Sequence, residues 1–514
     1  MNEARQGRDE ELAAADPPGI SIPRTALRLP PLTLTVVLSA ALIGAWWLSL
    51  RVLVGTRLMD LTFPKIAVLV GLLLLVVTAA WRTASRRDIP VLAAGGLLLA
   101  WLVGAAVLRR DSTDLKLALA FAVFAGGAFL IAFAAVRTDG ERALRALGVV
   151  LGLVTAIAFA SVVFQRVVYL SGVGDHFVWL WSIFRPQSTY TDPILGTIAA
   201  TPAYFSGGGL LRASGFFAHP NYEAFFSILV APFFAIRLCH AIDDRSRRAT
   251  IVNGLLLIAI VLVDLWTYSR TGIVGMIGSS ALAVLGDRVL NRRPSGRLFG
   301  ISPLPAVAVG LIFAVTLGAG IFQDPGSAQR ISTVGDVTIS TGADQTNNPG
   351  PDVQTAAVRS QDIRVQMQKA AVKLMIESAK TALLGPGMTT YEKDTHDTKN
   401  KVYVSQAAGI RDPNSAWLSF GLAGGIPGLA LFALVLLAAL AAALRAMRSA
   451  RGISREMATW LAAWIVVWAG AQIFGTYPFA SSESILLGAM LGIAAALLPR
   501  TAVQTTSDAG VGVG

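Results

Sequence analysis

Residues 211–237 read LRASGFFAHPNYEAFFSILVAPFFAIR and join an arginine, a His-Pro-Asn turn and a long apolar run. An arginine at the mouth of a membrane helix is costly to keep there, and it usually has an anionic partner. The remaining sequence is typical of a scaffold that holds Arg212, and a few arginines like it, at one face of a membrane. This stretch therefore predicts a membrane helix with an anion site at its entrance.

The composition of the whole chain excludes a soluble globular protein. Of the 514 residues, 54% are hydrophobic and 14% are charged, whereas soluble domains carry roughly 25% charged residues. The net charge of +12 does not indicate a nucleic-acid partner, because the basic residues are spread through short loops between apolar runs, where they set membrane topology. The single cysteine, Cys239, excludes an internal disulfide bond.

Apolar runs long enough to cross a bilayer recur along the chain. A membrane-spanning helix needs about 17–25 such residues, and twelve runs of this kind are present. They cover residues 31–50, 61–81, 89–108, 115–136, 146–164, 222–241, 250–267, 272–290, 301–322, 425–445, 457–474 and 482–498. We therefore predict an all-α polytopic membrane protein with about twelve transmembrane helices and a large periplasmic loop.

The distribution of arginines predicts the orientation of these spans. Arginines are concentrated in alternate loops, which the positive-inside rule assigns to the cytoplasm. These arginines are Arg82, Arg86, Arg87, Arg137, Arg142, Arg145, Arg237, Arg245, Arg247, Arg248, Arg288, Arg292, Arg293, Arg297, Arg445, Arg448, Arg451, Arg455 and Arg500. Arg51, Arg57, Arg109 and Arg110 lie in outer loops, against this trend. We expect both termini in the cytoplasm, and no removable signal peptide, because no small-residue cleavage site follows the first run.

The predicted spans divide the chain into five parts. Residues 1–28 form a cytoplasmic tail, 29–322 carry nine transmembrane helices, 323–413 form a periplasmic loop domain, 414–499 carry three more helices, and 500–514 form a second cytoplasmic tail. The outer loop at 166–220 is rich in aromatic residues, which fits either an interfacial belt or a lid on the outer leaflet. Both outer segments thus lie on the predicted periplasmic face.

The long segment 323–413 has balanced charge, with ten basic and ten acidic residues. Its part 326–350 is rich in Gly, Thr, Asn and Asp and is predicted to be irregular. Its part 362–384 places apolar residues at roughly helical spacing, and we expect an amphipathic helix near the membrane. The Gly-Pro-Gly sequence after it is expected to end that helix.

Three arginines are expected on the outer face: Arg212, Arg270 and Arg364. Guanidinium groups bind phosphate oxygens in a bidentate manner, so such a group could clamp a pyrophosphate. The alternative is that these arginines only set the membrane topology, or that their side chains snorkel so that the charged ends reach the lipid headgroups. Arg212 and Arg270 are both tied to glycine-containing turns, which favours the functional role.

Other polar residues lie at the mouths of the predicted helices. Glu223 suits the helix dipole in a first turn and is also a candidate general base. Asn221 is expected to cap the sixth span after the turn formed by His219 and Pro220. Asp264 is a carboxylate inside a membrane span and needs a partner, which Tyr268 or Arg270 could supply.

The stretch DPNSAWLSF leads from the periplasmic segment into span ten. Asp412, Asn414 and Ser415 either cap this helix, with Asp412 or Asn414 as the N-cap, or form a polar floor beneath an acceptor sugar. The sequence has no P-loop, dinucleotide-binding glycine pattern, zinc-ligand spacing or GxSxG motif. We therefore expect neither a cofactor nor a metal site.

Four stretches resemble motifs of the bacterial O-antigen ligase and O-antigen polymerase superfamily, in the family's order. RASGFFAHPNYEAFF is similar to R-x-x-G-x-F-x-x-P-N-x-x-A, and YSRTGIVGM is similar to the S-R-T/G-G turn. DIRVQMQKAAVKLMIESAKTALLGPGMTTY resembles R-x-x-x-W-x-x-A…P-L-x-G-x-G. NSAWLSFGLAGGIPGLALF resembles H-N-x-Y-L-x-x-x-x-x-x-G-x-x-G-L. The resemblance covers about residues 205–445.

This resemblance implies a metal-independent membrane glycosyltransferase. Such enzymes take a glycan from an undecaprenyl-pyrophosphate carrier at the periplasmic face of the inner membrane. They pass it to lipid A-core, to another carrier-linked repeat unit, or to protein. By position, Arg212 and Arg270 are implied to hold the pyrophosphate with help from Arg364, so that the leaving group is stabilised electrostatically.

One departure from the family concerns the last motif, where ligases carry a histidine thought to activate the acceptor hydroxyl. Asn414 occupies that position here, and asparagine is not a general base at neutral pH. Either another residue acts as the base or no strong base is needed. The candidate bases are Asp412, His396, Glu223 and His219. The missing histidine favours polymerisation of O-antigen or exopolysaccharide over ligation to lipid A-core.

Three other functions remain open at this stage. A polysaccharide or small-molecule transporter would be expected to show repeats and mid-bilayer polar groups, but no repeat is visible and only Asp264 lies at such a depth. A flippase for the same carrier would share the arginines without needing a large outer domain. An assembly partner without catalysis would tolerate loss of Arg212.

Overall fold

The computed structural model describes most of the chain. The described residues are 32–47, 51–54, 57–78, 83–170, 190–192, 196–198, 204–206, 210–212, 220–267, 269–290, 303–323, 353–396, 413, 415–475, 479 and 481–498.

Helices make up most of this part of the chain, as the predicted all-α class requires. The helices are α1 (Thr33–Trp47), α2 (Phe63–Thr78), α3 (Ile89–Arg109), α4 (Ser112–Phe121), α5 (Gly127–Asp139), α6 (Glu141–Leu170), α7 (Pro220–Asp243), α8 (Arg247–Thr267), α9 (Arg270–Leu290), α10 (Leu304–Gln323), α11 (Val353–Ile376), α12 (Ala379–Leu384), α13 (Met388–His396), α14 (Ala416–Ser449), α15 (Gly452–Ala471) and α16 (Ser481–Ala496). A π-helical turn, Ala122–Gly126, joins α4 to α5. Helical turns Arg86–Asp88 and Gln472–Phe474 flank α3 and α15.

Three short antiparallel hairpins interrupt the helical pattern. They pair β1 (Arg51–Val54) with β2 (Arg57–Thr62), β3 (Tyr190–Asp192) with β4 (Gly196–Ile198), and β5 (Tyr204–Ser206) with β6 (Leu210–Arg212). No hairpin was predicted from the sequence. The last two lie within the segment predicted as an aromatic outer loop.

Each of the twelve predicted apolar runs overlaps a helix. Among the described residues, seven helices are long and apolar enough to cross a membrane, and four shorter apolar helices accompany them. Apolar side chains such as Leu73, Val76, Val149 and Leu285 are 62–72% exposed on the helix surfaces, as expected where lipid is the solvent. The chain is therefore a multi-pass membrane protein, and the total of twelve crossings stays a prediction.

The helix ends meet at two opposite ends of the bundle. At the end we call the site end, the first turns of α7 and α9 touch, and α12 lies against the end of α3 and the start of α14. At the other, which we call the far end, the end of α7 is bonded to the end of α9 and the start of α15. The helices α11–α13 form a layer over the site end.

The predicted amphipathic helix at 362–384 is in fact two helices. Glu377 and Ser378 separate α11 from α12, because Ser378 adopts extended backbone and caps α12 through a reciprocal bond with Thr381. This is the capping-box arrangement, which starts a new helix. The predicted apolar face is present on α11, where Met367, Ala370 and Leu374 are buried.

Two helix starts also differ from the predictions. Helix α14 begins nine residues before the predicted residue 425, and Gly425 adopts a left-handed conformation (φ +67°) inside it. Its N-cap is Ser415, whose hydroxyl accepts from the Leu418 amide at 3.4 Å, so neither Asp412 nor Asn414 has that role. Helix α7 begins at Pro220, which places Asn221 one residue inside the helix and not before it.

Candidate active site

The ten sequence-predicted site residues fall into three groups. His219, Tyr268, Asp412 and Asn414 lie outside the described residues. Arg212, Asn221 and His396 lie on β6, α7 and α13. For Arg270, Arg364 and Glu223 the surroundings of the side chain are described as well, and these three define the geometry below.

Arg270 is the first residue of α9, directly after the cap of that helix. The Ser269 hydroxyl accepts from the Gly272 amide at 3.3 Å, and the Ser269 carbonyl accepts from the Ile273 amide at 3.0 Å. Serine is a favoured N-cap because its oxygen satisfies an orphan amide of the first turn. The Ser-Arg-Thr-Gly sequence thus starts the helix and fixes Arg270, which is half-buried, at the site end.

Arg364 comes from α11, 94 positions along the chain from Arg270, yet the two cations interact electrostatically. They lie close enough for the positive charge of Arg364 to repel that of Arg270. Both side chains are partly buried, and burial strengthens such repulsion because less water screens it. An anion bound between them would remove this repulsion and add charge-assisted hydrogen bonds.

Two buried carboxyl groups lie in turns next to Arg270. Glu223 is in the first turn of α7 and Asp264 in the last turn of α8, and both residues are 0% exposed. A Cβ placed on Gly272 would lie 2.3 Å from Asp264 Oδ1 and 2.6 Å from Ala224 Cβ. The ends of α7, α8 and α9 therefore converge at Gly272, two residues after Arg270.

Small residues explain how α7 and α9 approach so closely. Gly275 faces Ile228, with 2.5 Å between its would-be Cβ and the Ile228 side chain. One turn further, the Ser279 hydroxyl donates to the Ile228 carbonyl at 3.1 Å. Membrane helices pack through small residues because no hydrophobic force drives them together in lipid. This packing places the first turns of both helices side by side at the site end.

Sequence reasoning missed one pair of residues at the site end. Arg109 at the end of α3 forms a buried ion pair with Asp114 of α4, with 3.0 Å between Nη2 and Oδ2. The sequence did carry a signal, since the predicted topology assigns Arg109 to the outer side, against the positive-inside trend. Its contacts, with residues about 300 positions away, could not be read from the local sequence.

Within the described part of the chain, no group of three or more His, Cys, Asp and Glu side chains is placed to hold a metal ion. The chemical groups that do converge are two guanidinium groups and two carboxyl groups. Guanidinium groups bind phosphate oxygens and stabilise negative charge on a leaving group. Carboxyl groups can accept or hold a proton.

A comparison with protein families matches residues 254–433 to the family model described as O-Antigen ligase. The match extends from α8 to the middle of α14 and contains Arg270 and Arg364. It begins after the first resembling motif, so Arg212 and Glu223 lie outside it. No curated protein matches the chain. The match confirms, for about a third of the chain, the resemblance to the O-antigen ligase and polymerase superfamily.

Proposed function

We propose that this protein is a glycosyltransferase that uses an undecaprenyl-pyrophosphate-linked glycan at the periplasmic face of the bacterial inner membrane. Its most favoured activity is polymerisation of O-antigen or exopolysaccharide repeat units. The observation that carries the proposal is the convergence of Arg270 and Arg364 at the site end, within the family match. A pyrophosphate is an anion of suitable charge and shape for two guanidinium groups.

In the proposed reaction, Arg270 and Arg364 hold the pyrophosphate of the donor, and Arg212 is a third ligand. An acceptor hydroxyl oxygen attacks the anomeric carbon of the donor sugar, and the bond from that carbon to the pyrophosphate oxygen breaks. The leaving pyrophosphate takes the electron pair, and the arginines stabilise its growing charge. The hydroxyl proton passes to a base or, through water, to solvent.

Four residues are candidates for the base that accepts this proton. Glu223 is the described candidate, because its carboxyl lies in the turn of α7 that adjoins the α9 turn bearing Arg270. Asp412, His396 and His219 are the other candidates from the sequence. Asn414, which stands where ligases have histidine, would orient the acceptor by hydrogen bonding and would not take its proton.

Ligation of the glycan to lipid A-core or to another acceptor is the alternative. The family match carries the name of the ligase, and this favours the alternative, whereas Asn414 in the histidine position disfavours it. The two activities share donor and leaving group, so the same arginines would serve both. They differ only in the acceptor, which an experiment must identify.

The test is deletion of the gene in its host, followed by complementation and gel analysis of surface and secreted polysaccharide. Plasmids would carry the wild type, Arg212→Ala, Arg270→Ala or Arg364→Ala. Lys369→Ala is the matched control, because Lys369 is an exposed cation on the same helix as Arg364. Polymerisation predicts single repeat units after deletion, long chains with wild type and the control, and no long chains with the arginine variants.

Two other outcomes would change the proposal. Long polymer that stays on its lipid carrier and never reaches a final acceptor would identify a ligase. Glycans that are unchanged in every strain would overturn the glycosyltransferase proposal and favour a transporter.

A further inference from the structure

Arg109 and Asp114 connect the membrane helices to the layer formed by α11–α13. The Arg109 guanidinium donates to the carbonyl of Leu384, at the end of α12, and to the carbonyl of Ala423 in α14 at 2.8 Å. Its ion pair with Asp114 is buried, with 8% and 3% of the two side chains exposed. Arg109 therefore bonds to three helices besides its own.

Asp114 extends this connection to α13. Its Oδ1 accepts from the Met388 amide at 3.1 Å, at the start of α13. Gly387, just before it, has φ +92°, and a Cβ there would lie 2.2 Å from Asp114 Oδ2. The Gly387 amide donates to the Leu422 carbonyl of α14 at 3.0 Å. The Gly-Pro-Gly turn is thus shaped to receive the Asp114 carboxylate.

The kink in α14 receives the end of α12. A Cβ on Gly425 would lie 2.4 Å and 2.5 Å from the carbonyl oxygens of Leu383 and Ala382. The indole nitrogen of Trp101 in α3 donates to the Gly424 carbonyl at 2.7 Å. Backbone packs on backbone here, so the position of α12 depends closely on α3 and α14.

From α13 the connection reaches the helix that bears Arg364. The Tyr391 hydroxyl donates to the Met367 carbonyl of α11 at 3.2 Å, and Tyr391 is fully buried. Met367 lies three positions after Arg364, about one helical turn away. Around this bond Met367, Ala370, Leu374, Met388 and Leu422 form a small apolar core.

We propose that Arg109 and Asp114 are positioning residues that hold Arg364 beside Arg270. The path runs from Asp114 through the start of α13 and Tyr391 to the turn of α11 that carries Arg364. Arg109 fixes the same layer through α12 and the α14 kink. The inference rests on the proposed function, because it assigns the pair to the placement of a pyrophosphate-binding arginine. Neither residue touches the substrate.

The first test is a double-mutant cycle on transfer of a synthetic undecaprenyl-pyrophosphate-linked repeat unit by purified protein. Asp114→Ala should lower the rate about 10-fold to 100-fold, because small misplacements of a binding group are costly. In an Arg364→Ala background the same change should have an effect below about 2-fold, because the placement no longer matters. If Asp114→Ala lowered the transfer rate by the same factor in the wild-type and the Arg364→Ala backgrounds, the proposal would be wrong.

The second test measures position without activity. In a Cys239→Ala background, spin labels at Lys116→Cys on α4 and Lys369→Cys on α11 report the distance between the membrane helices and the layer, since both lysines are exposed. Asp114→Ala should broaden or shift this distance distribution. An unchanged distribution would overturn the proposal.

Asp114→Asn and Arg145→Ala guard against a folding artefact. Asp114→Asn keeps one acceptor oxygen for the Met388 amide but leaves Arg109 without this counter-charge, so it should fall between wild type and Asp114→Ala in both readouts. Arg145→Ala breaks an exposed ion pair with Glu141, in which 71% and 55% of the side chains are exposed, and should change neither readout. If Asp114→Ala moves the layer but Arg364→Ala leaves transfer intact, the assigned role of Arg364 fails while the connection itself stands.

Discussion

At the far end of the bundle cations pair with carboxylates, whereas at the site end two cations, Arg270 and Arg364, lie within electrostatic range of each other. His240 lies between Asp287 and Glu456, with 2.9 Å from each ring nitrogen to a carboxylate oxygen. Arg137 pairs with Asp88, and Arg288 with Asp243. At the site end the positive charge of Arg364 acts on that of Arg270.

This difference separates charges that hold the fold from charges suited to a ligand. A matched pair has a net charge near zero, whereas two like charges side by side attract an anion whatever else each of them contacts. Two neighbouring cations gain interaction when an anion binds between them. The Arg109–Asp114 pair is a matched pair at the site end, and this is why we assign it to positioning. The predictions below are ordered by their expected effect on glycan transfer.

The largest effect is expected at Arg270. Arg270→Ala should lower the transfer rate about 100-fold or more, the scale seen when one group that stabilises a developing negative charge is removed. Arg270→Lys should recover part of the rate, because it restores the charge but not the bidentate geometry. Single-turnover rates with purified protein would measure both. If Arg270→Ala transferred glycan at the wild-type rate, the proposed contrast between the site end and the far end would be wrong.

The next largest effect is expected at the α14 kink. Gly425→Ala adds a Cβ within 2.5 Å of two carbonyl oxygens and forces alanine to φ +67°. We expect destabilisation of about 1–3 kcal/mol from the backbone strain, and loss of most transfer because α12 can no longer pack in the kink. Thermal unfolding in detergent and the transfer rate would be measured together.

The matched control for this variant is Gly95→Ala in α3. A Cβ at Gly95 meets nothing within 4 Å, and alanine is favoured over glycine inside a helix by about 0.5–1 kcal/mol. This variant should be as stable as wild type or slightly more stable. If Gly425→Ala and Gly95→Ala had the same thermal stability and transfer rate, the position of α12 would not depend on the kink.

The helices were predictable because the lipid environment requires them. An apolar run of the right length has few alternatives to a helix in a bilayer, so each predicted run overlaps a helix. The helix boundaries were less predictable. The apolar pattern predicts a span that starts at Gly425, although Gly425 lies inside α14, because a glycine can either begin a helix or accommodate a close backbone contact.

The chemistry of the candidate site was more predictable than its geometry. The motifs predict Arg270 and Arg364 as arginines of one membrane face, but only the fold brings their charges within electrostatic range. The sequence indicates Arg109 only as an exception to the positive-inside trend and does not predict its ion pair or its carbonyl contacts. Its partners, Leu384 and Ala423, are 275 and 314 positions away in sequence, and no local pattern encodes such contacts.

An intermediate effect is expected at Gly272, where α7, α8 and α9 converge. Gly272→Ala would place a Cβ 2.3 Å from Asp264 Oδ1, so the first turn of α9 and Arg270 with it must shift. We expect transfer to fall about 10-fold, in line with the sensitivity of catalysis to small displacements. Removing the obstructing carboxyl with Asp264→Ala in the same chain should recover part of this loss, and transfer rates of both variants test it.

Recovery is expected to be partial, because Ala224 Cβ would still lie 2.6 Å from the new methyl group. A double variant that is no better than Gly272→Ala alone would show that Asp264 does not limit the space around the turn. It would also show that the buried Asp264 carboxyl does not influence the placement of Arg270.

The smallest effect on transfer is expected from breaking the matched charges of the far end. His240→Ala leaves Asp287, whose side chain is 2% exposed, without its imidazole partner. Because the His240 side chain is 26% exposed, we expect a loss of stability smaller than the about 3–5 kcal/mol that breaking a fully buried ion pair costs. Transfer per folded molecule should stay within about 2-fold of wild type, because additivity holds between distant, independent sites.

A second substitution distinguishes charge from packing at His240. Asp287→Asn in the His240→Ala chain removes the carboxylate charge that His240 faced and should recover part of the lost thermal stability. Thermal unfolding, with transfer rates normalised to folded protein, gives both quantities. If His240→Ala lowered normalised transfer as much as Arg270→Ala does, the far end would be coupled to the site. The division between charges that hold the fold and charges suited to a ligand would then be wrong.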